Sequence, residues 1–300
     1  FLHRRLLHAV VTLPIKDSML IPRIMTAVVL LALLLPALFA SNSSYFAAIT
    51  LALITAGCWE WGRLNQLSFV PATLVGLCVG LGLAYVWWLS PDLLRTHADV
   101  TRGLWLLAAT MWVLGSAWMM RFGLSKWLHI HVALRLVAGW LLIALTWLAM
   151  ASAHNIGVNF LLSLFLLVWV ADVAAYFGGR AWGKRKLAAA ISPGKTWAGA
   201  ITGVVAVMLL AIMWLWVDAV WALDSPSMYT LLWQRSPALM VIGVVWLTCM
   251  AVVGDLVESL VKRCAGVKDS SGLLPGHGGV LDRVDALLPV LPLGMMLVTV

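Results

Sequence analysis

Apolar residues gather into nine runs along the chain, at approximately 22–40, 45–59, 69–89, 103–120, 132–150, 158–177, 198–217, 237–258 and 284–300, separated by shorter stretches that carry the charges. An α-helix rises 1.5 Å per residue, so about 20 apolar residues cross a hydrocarbon core of about 30 Å. The pattern therefore predicts an all-α polytopic membrane protein of about nine transmembrane helices. The second and ninth runs are short and are expected to stand near the membrane normal. Pro36, Pro289 and Pro292 are expected to kink the helices that hold them.

Composition strengthens this reading. Of 300 residues, 63% are hydrophobic and 11% charged, against roughly 45–50% and about 25% in soluble domains. A water-soluble fold, a disordered chain and a collagen are all excluded. Eighteen Trp suit a chain that crosses membrane–water interfaces. Cys58, Cys78, Cys249 and Cys264 lie in or beside apolar runs with no metal-ligand spacing and read as small buried thiols.

The net charge of +8 acquires meaning from its placement. On alternate sides of the runs, one side holds Arg4, Arg5, Lys16, Arg23, Arg63, Arg121, Lys126, Arg180, Lys184, Arg185, Lys186, Lys195, Lys262, Arg263, Lys268 and Arg283. The other holds Arg95, Arg102 and Arg235. Positive residues are retained on the cytoplasmic side, so the N-terminus is expected in the cytoplasm and the C-terminus outside. The basic face would attract anionic lipid headgroups or a polyanionic substrate, and no nucleic acid is required. Arg135 falls inside the fifth run and is expected to snorkel to an interface or to pair structurally. Residues 1–18 read as a non-core extension preceding Met19. Residues 19–300 form one integral-membrane domain with cytoplasmic loops at 178–197 and 259–283.

Function has to come from polar residues that a bilayer tolerates at a cost. Asp172 and Asp255 sit near the ends of the sixth and eighth runs. Glu60, in Trp59-Glu60-Trp61-Gly62, reads as mainly interfacial. The loop at 178–197 combines glycines and basic residues with Ser192-Pro193-Gly194-Lys195-Thr196, where Lys195 and Thr196 open a helix and suit phosphate oxygens. In the second loop Asp255, Glu258 and Ser259 share one helical face, as do Asp282 and Asp285. Two oxygen-rich helix ends flanking Lys and Arg match what Mg²⁺ and a polyphosphate require.

The stretch Ser259-x-Val261-Lys262-Arg263-x4-Lys268-Asp269-x-Ser271-x2-Leu274-Pro275-x-His277-Gly278-Gly279-Val280-x-Asp282-Arg283-Val284-Asp285 resembles the signature of the phosphatidate cytidylyltransferases. The Ser-Pro-Gly-Lys-Thr-Trp stretch, residues 172–179 and Trp-Glu-Trp-Gly are similar to that family too, so the resemblance covers approximately 19–300. Ala198 departs from it, an acidic or amide residue being common there in similar chains.

The resemblance implies a bacterial inner-membrane enzyme, a homodimer among membrane lipids with its active site facing the cytoplasm. It would make CDP-diacylglycerol and pyrophosphate from CTP and phosphatidate, for phospholipid biosynthesis. Mg²⁺ is the implied cofactor, with room for a second monovalent or divalent cation. Asp255 and Asp282 are then the leading metal ligands, followed by Asp285 and Asp269. Lys195, Lys262, Arg263, Lys268 and Arg283 are phosphate clamps. Asp172, Ser192, Thr196 and Ser259 are substrate contacts, Ser and Thr also being natural helix caps. His277 is either a phosphate or acid group or a loop-ordering residue. A transporter would instead place its polar groups near the midplane. Other lipid-phosphate transferases differ in motif: the D-G-x2-A-R pattern of enzymes that join CDP-lipids to alcohols is absent.

Overall fold

The computed structural model describes residues 20–89 and 98–300. The proposed extension 1–18, Met19 and Arg95 lie outside the described residues.

The apolar runs become helices. They are α1 (Leu20–Leu38), α2 (Ser44–Leu64), α3 (Phe69–Leu89), α4 (Ala98–Trp127), α5 (Val132–Ile156), α6 (Val158–Trp182), α7 (Trp197–Val220), α8 (Met228–Arg235), α9 (Pro237–Cys264), α10 (Leu281–Val284) and α11 (Leu287–Thr299). Seven of them, α1, α3, α4, α5, α6, α7 and α9, are long and apolar enough to cross a membrane, with mean hydropathies from 1.4 to 2.4. Of the nine expected spans, the second and ninth correspond to α2, which ends in Glu60 and Arg63, and to the 13-residue α11. Both pack inside the bundle. α1 continues through Pro36 and α11 through Pro292. The non-helical residue falls instead in α4, at Gly123 (φ 61°, ψ −156°).

Large apolar side chains point outward along the helices: Leu81, Leu209, Trp216 and Ile242 are all more than 60% exposed. In water such a surface would be unfavourable at about 25 cal/mol per Å². It therefore belongs against lipid, and the chain is an integral membrane protein.

The interior is built around α9, of whose apolar window 56% is buried, against 11% for α1. It packs on α4, α7, α8 and α11. Gly254 permits the approach of α9 to the start of α11, because a Cβ there would lie 2.5 Å from the Asp285 carbonyl oxygen and 2.8 Å from the Pro289 ring. That contact sets Asp255 beside Asp285.

One departure from an all-helical chain lies in the loop at 178–197. Residues Lys186–Ala188 (β1) and Ser192–Thr196 (β2) form a small antiparallel hairpin, with Lys186 opposite Thr196. Thr196 then caps α7, its Oγ1 accepting the Gly199 amide at 3.1 Å.

The two ends of the bundle differ in chemistry. Arg23 Nε on α1 donates to the Gly276 carbonyl at 3.0 Å, and Thr26 Oγ1 to that of Pro275 at 2.8 Å. The first helix thus meets the second signature loop at one end. Arg235 bonds the carbonyls of Leu297 and Val298, at 3.1 and 2.5 Å, beside the C-terminal end of α11.

Candidate active site

Five elements enclose a cavity of about 470 Å³: α6 supplies Asp172 and Arg180, β1 Lys186, β2 Lys195 and Thr196, α7 Gly199 and Ala200, and α9 Asp255. Of the residues singled out in the sequence, Asp172, Lys195, Thr196 and Asp255 meet here. Arg180 and Lys186 were not singled out and add positive charge. Lys195 Nζ stands 2.7 Å from Asp255 Oδ2 and donates to the Val252 carbonyl at 3.3 Å. Ser259 Oγ, one turn along α9, donates to Asp255 Oδ1 at 3.1 Å.

A second group adjoins the first. Lys262 pairs with Glu258 and, at 2.5 Å, with Asp282 Oδ1. The other oxygen of Asp282 accepts the amides of Ser270 and Gly279, each at 2.8 Å, and the Ser270 hydroxyl at 2.9 Å. Burial alone would raise the Asp282 carboxyl; the Lys262 hydrogen bond and the two amides outweigh it and hold the group below the usual carboxylate range. Asp285 lies within electrostatic reach of Asp255, Lys262 and Lys195, and Asp172 of Asp255 and Lys195. Five carboxylates (Asp172, Asp255, Glu258, Asp282 and Asp285) thus share two lysines.

The residue that organises the signature loop is one whose sequence context suggests a membrane interface. Glu60, fully buried at the end of α2, accepts four hydrogen bonds. Its donors are the Ser271 hydroxyl at 2.5 Å, the Leu281 amide at 2.7 Å, the Val280 amide at 2.9 Å and, shared with Asp282, the Ser270 hydroxyl at 3.2 Å. The expectation of an interfacial Glu60 is overturned. A charge removed from water is held only where charged or dipolar partners replace its hydration, and here loop amides and hydroxyls do so.

The remaining predicted residues are spread around this loop. Arg283 donates through Nε and Nη2 to the His277 carbonyl, at 3.0 and 2.7 Å, and so closes the turn. The turn passes through Gly278 at φ 81°, a left-handed conformation that L side chains resist. His277 Nδ1 is buried without a hydrogen-bond partner among the described residues. Lys268 and Asp269 are exposed. Among the described residues Arg263 makes only long contacts, 3.5 Å each, to the carbonyls of Ile191 and Val267. Ser192 lies in β2 opposite Ala188 and does not line the cavity. Arg135 does not snorkel, and its structural partner is an aromatic ring rather than a carboxylate. It is 4% exposed, its guanidinium lies 5.7 Å from the Trp127 ring centroid, and its Nε and Nη1 have no hydrogen-bond partner among the described residues.

No three His, Cys, Asp or Glu side chains form a ready metal cage among the described residues. Mg²⁺ requires no such cage, being held through one or two carboxylates together with substrate phosphates and water. The hard oxygen donors of Asp255, Asp282 and Asp285 and their excess of negative charge fit such an ion.

Known proteins share this framework. The sequence pattern of the cytidylyltransferase family matches residues 21–300. The chain is 37% identical over 289 residues to a phosphatidate cytidylyltransferase of Haemophilus influenzae, covering 91% of this chain and 96% of that protein. It is 34% identical over 293 residues to one of Pseudomonas aeruginosa, with coverages of 91% and 95%. Over 141 residues it is 40% identical to one of Staphylococcus saprophyticus, covering 46% of this chain and 48% of that protein.

Proposed function

The chain belongs to the cytidylyltransferase family and is a nucleotidyltransferase, and on that premise we propose that it transfers the cytidylyl group of CTP to phosphatidate, giving CDP-diacylglycerol and pyrophosphate. The observation that carries this reading is the cavity in which Lys195, Arg180 and Lys186 face Asp172 and Asp255 beside the Lys262–Asp282 pair. Cations there suit two anionic substrates, and carboxylates suit the cation that accompanies a triphosphate.

A phosphatidate oxygen attacks the α-phosphorus of CTP. A new phosphorus–oxygen bond forms, the α–β bridge breaks, and the electron pair leaves with pyrophosphate. The nucleophile is already ionised, so the step needs neither a covalent enzyme intermediate nor a strong base. The protein has to bring two anions together in line and stabilise the charge that collects on the leaving group. Lys195, on a hairpin at the mouth of α7, is placed to meet phosphate oxygens, supported by Arg180 and Lys186. Asp255 and Ser259 orient Lys195. Lys262 and the loop amides hold Asp282 ionised. Mg²⁺, which Asp255, Asp282 and Asp285 would hold one or two at a time together with phosphate oxygens, would supply neutralisation of the triphosphate when bound. The site opens to the cytoplasm of the inner membrane in this reading, CTP being a cytoplasmic nucleotide.

The test uses purified protein in mixed micelles, phosphatidate and CTP labelled at the α-phosphate. Label is expected to enter a chloroform-soluble product only when phosphatidate is present, with equimolar pyrophosphate released. Folded protein that moves no label into lipid would contradict the proposal.

A further inference from the structure

A second cavity, of about 350 Å³, lies between α4, α5 and α9 and is lined almost wholly by apolar side chains, among them Met111, Trp112 and Met119 of α4. Its volume is that of a small-molecule pocket, roughly 300–1,000 Å³. Two ionisable residues border it, Arg135 and Glu258. Glu258 is committed to Lys262, which in turn binds Asp282, so this edge of the cavity abuts the active-site network. Arg135 has no such commitment. It is 4% exposed, no hydrogen-bond partner among the described residues meets its Nε or Nη1, and its nearest described support is the Trp127 ring. A guanidinium so enclosed is costly unless an anion joins it. An apolar chamber with an uncommitted cation fits an amphiphile with a hydrocarbon tail and an anionic head.

We propose that this chamber holds one acyl chain of the lipid substrate, with Arg135 attracting the lipid's anionic head as the chain enters. The inference rests on the phosphatidate reading and adds to it a location for the chain. Gly254, Glu258 and Leu281 line the chamber next to Asp255 and Asp282, so a chain lying there brings its head end to the reacting groups. Gly115 is on the wall, and a Cβ at that position would meet no atom within 4 Å. Its missing side chain leaves room for the tail, and a larger residue there shortens the chain that fits.

The experiment uses the full unaltered protein in mixed micelles and phosphatidate bearing a diazirine at the end of one acyl chain. Irradiation is expected to label residues within 111–119 or 134–142, and unlabelled phosphatidate is expected to compete at least tenfold better than phosphatidylethanolamine. Equal competition by the neutral lipid, or labelling confined to other helices, would overturn the proposal. Arg135→Met is expected to raise the KM for phosphatidate about tenfold or more, the loss typical of a charged hydrogen-bonding partner, while the KM for CTP stays in place. Gly115→Phe, with Gly115→Ala as the milder step, is expected to shift preference toward shorter chains. An unaltered chain-length preference in both variants would also count against it. Labelling needs no turnover, so a protein that captures the probe yet transfers no cytidylyl group would refute the reaction and leave the lipid chamber standing.

Discussion

Glu60 Oε2 accepts the backbone amide of Leu281 at 2.7 Å, across 221 residues of sequence. This bond and its three companions tie the end of α2 to the loop that carries Asp282, so the loop's shape depends on a carboxylate that cannot reach solvent. Glu60→Gln keeps the size but turns an amide group toward amide donors. It is expected to cost about 2 kcal/mol or more of stability and to lower turnover at least tenfold. Thermal unfolding in detergent and hydrogen exchange across residues 270–281 are the readouts, and normal values in both would show that the loop holds itself.

Lys262 is the only cation the structure pairs with both Glu258 and Asp282 among the described residues. Lys262→Met leaves Glu258 and Asp282 without their shared cation, a change that typically costs about 3–5 kcal/mol. The double variant Lys262→Met with Glu258→Gln is expected to recover part of the lost thermal stability but not the activity. A double variant no more stable than the single one would mean that the pair contributes nothing as a unit.

The depressed carboxyl of Asp282 gives a direction with pH. Its folded pKa lies below the unfolded one, so its contribution is present above the ordinary carboxylate range and is lost as pH falls through the lowered folded value. The share of thermal stability that Asp282 contributes is therefore expected to stay level from neutral to mildly acidic pH, then decline. Asp282→Asn should be less stable at neutral pH and show a smaller acid-dependent decline. An identical pH profile in the variant would remove Asp282 from the account.

The close approach at Gly254 is testable by a single methyl. Gly254→Ala pushes a Cβ against the Asp285 carbonyl and Pro289, and overpacking of this kind costs about 1–3 kcal/mol. Gly103→Ala on α4, where a Cβ meets nothing within 4 Å, is the control. Activity should fall in the first variant and persist in the second. Equal behaviour would show that α9 and α11 do not need this contact to align Asp255 with Asp285.

Topology can be read directly. Reporters at 184 and 268 are expected on the cytoplasmic side and one at the C-terminus outside, because basic residues crowd the loops of the first pair. A reporter at 268 found outside would separate the loop from cytoplasmic CTP and defeat the mechanism.

Much of this was visible in the chain itself. Hydrophobic runs located the long helices because membrane burial demands unbroken apolar length. The spacing of Asp255 and Ser259 put both on one helical face, where they now bond. Glu60 was misjudged because its donors are mostly backbone amides and serines more than 200 residues away, which leave no local pattern. Its tryptophan neighbours meanwhile imitate an interfacial belt. The hairpin at 186–196 has strands of only three and five residues, with no alternation to announce it. Arg135 looked like a residue that would reach water, and only packing against Trp127 shows that it does not.

The most direct test of the whole account is pyrophosphate release dependent on both CTP and phosphatidate, measured for well-inserted Asp255→Asn across a Mg²⁺ titration. Asn keeps the shape of Asp255 but removes the charge facing Lys195. Turnover is predicted to fall by about two orders of magnitude or more, with excess Mg²⁺ recovering part of it. Near-normal turnover with an unchanged metal requirement would contradict the assignment of this cavity as the place of reaction.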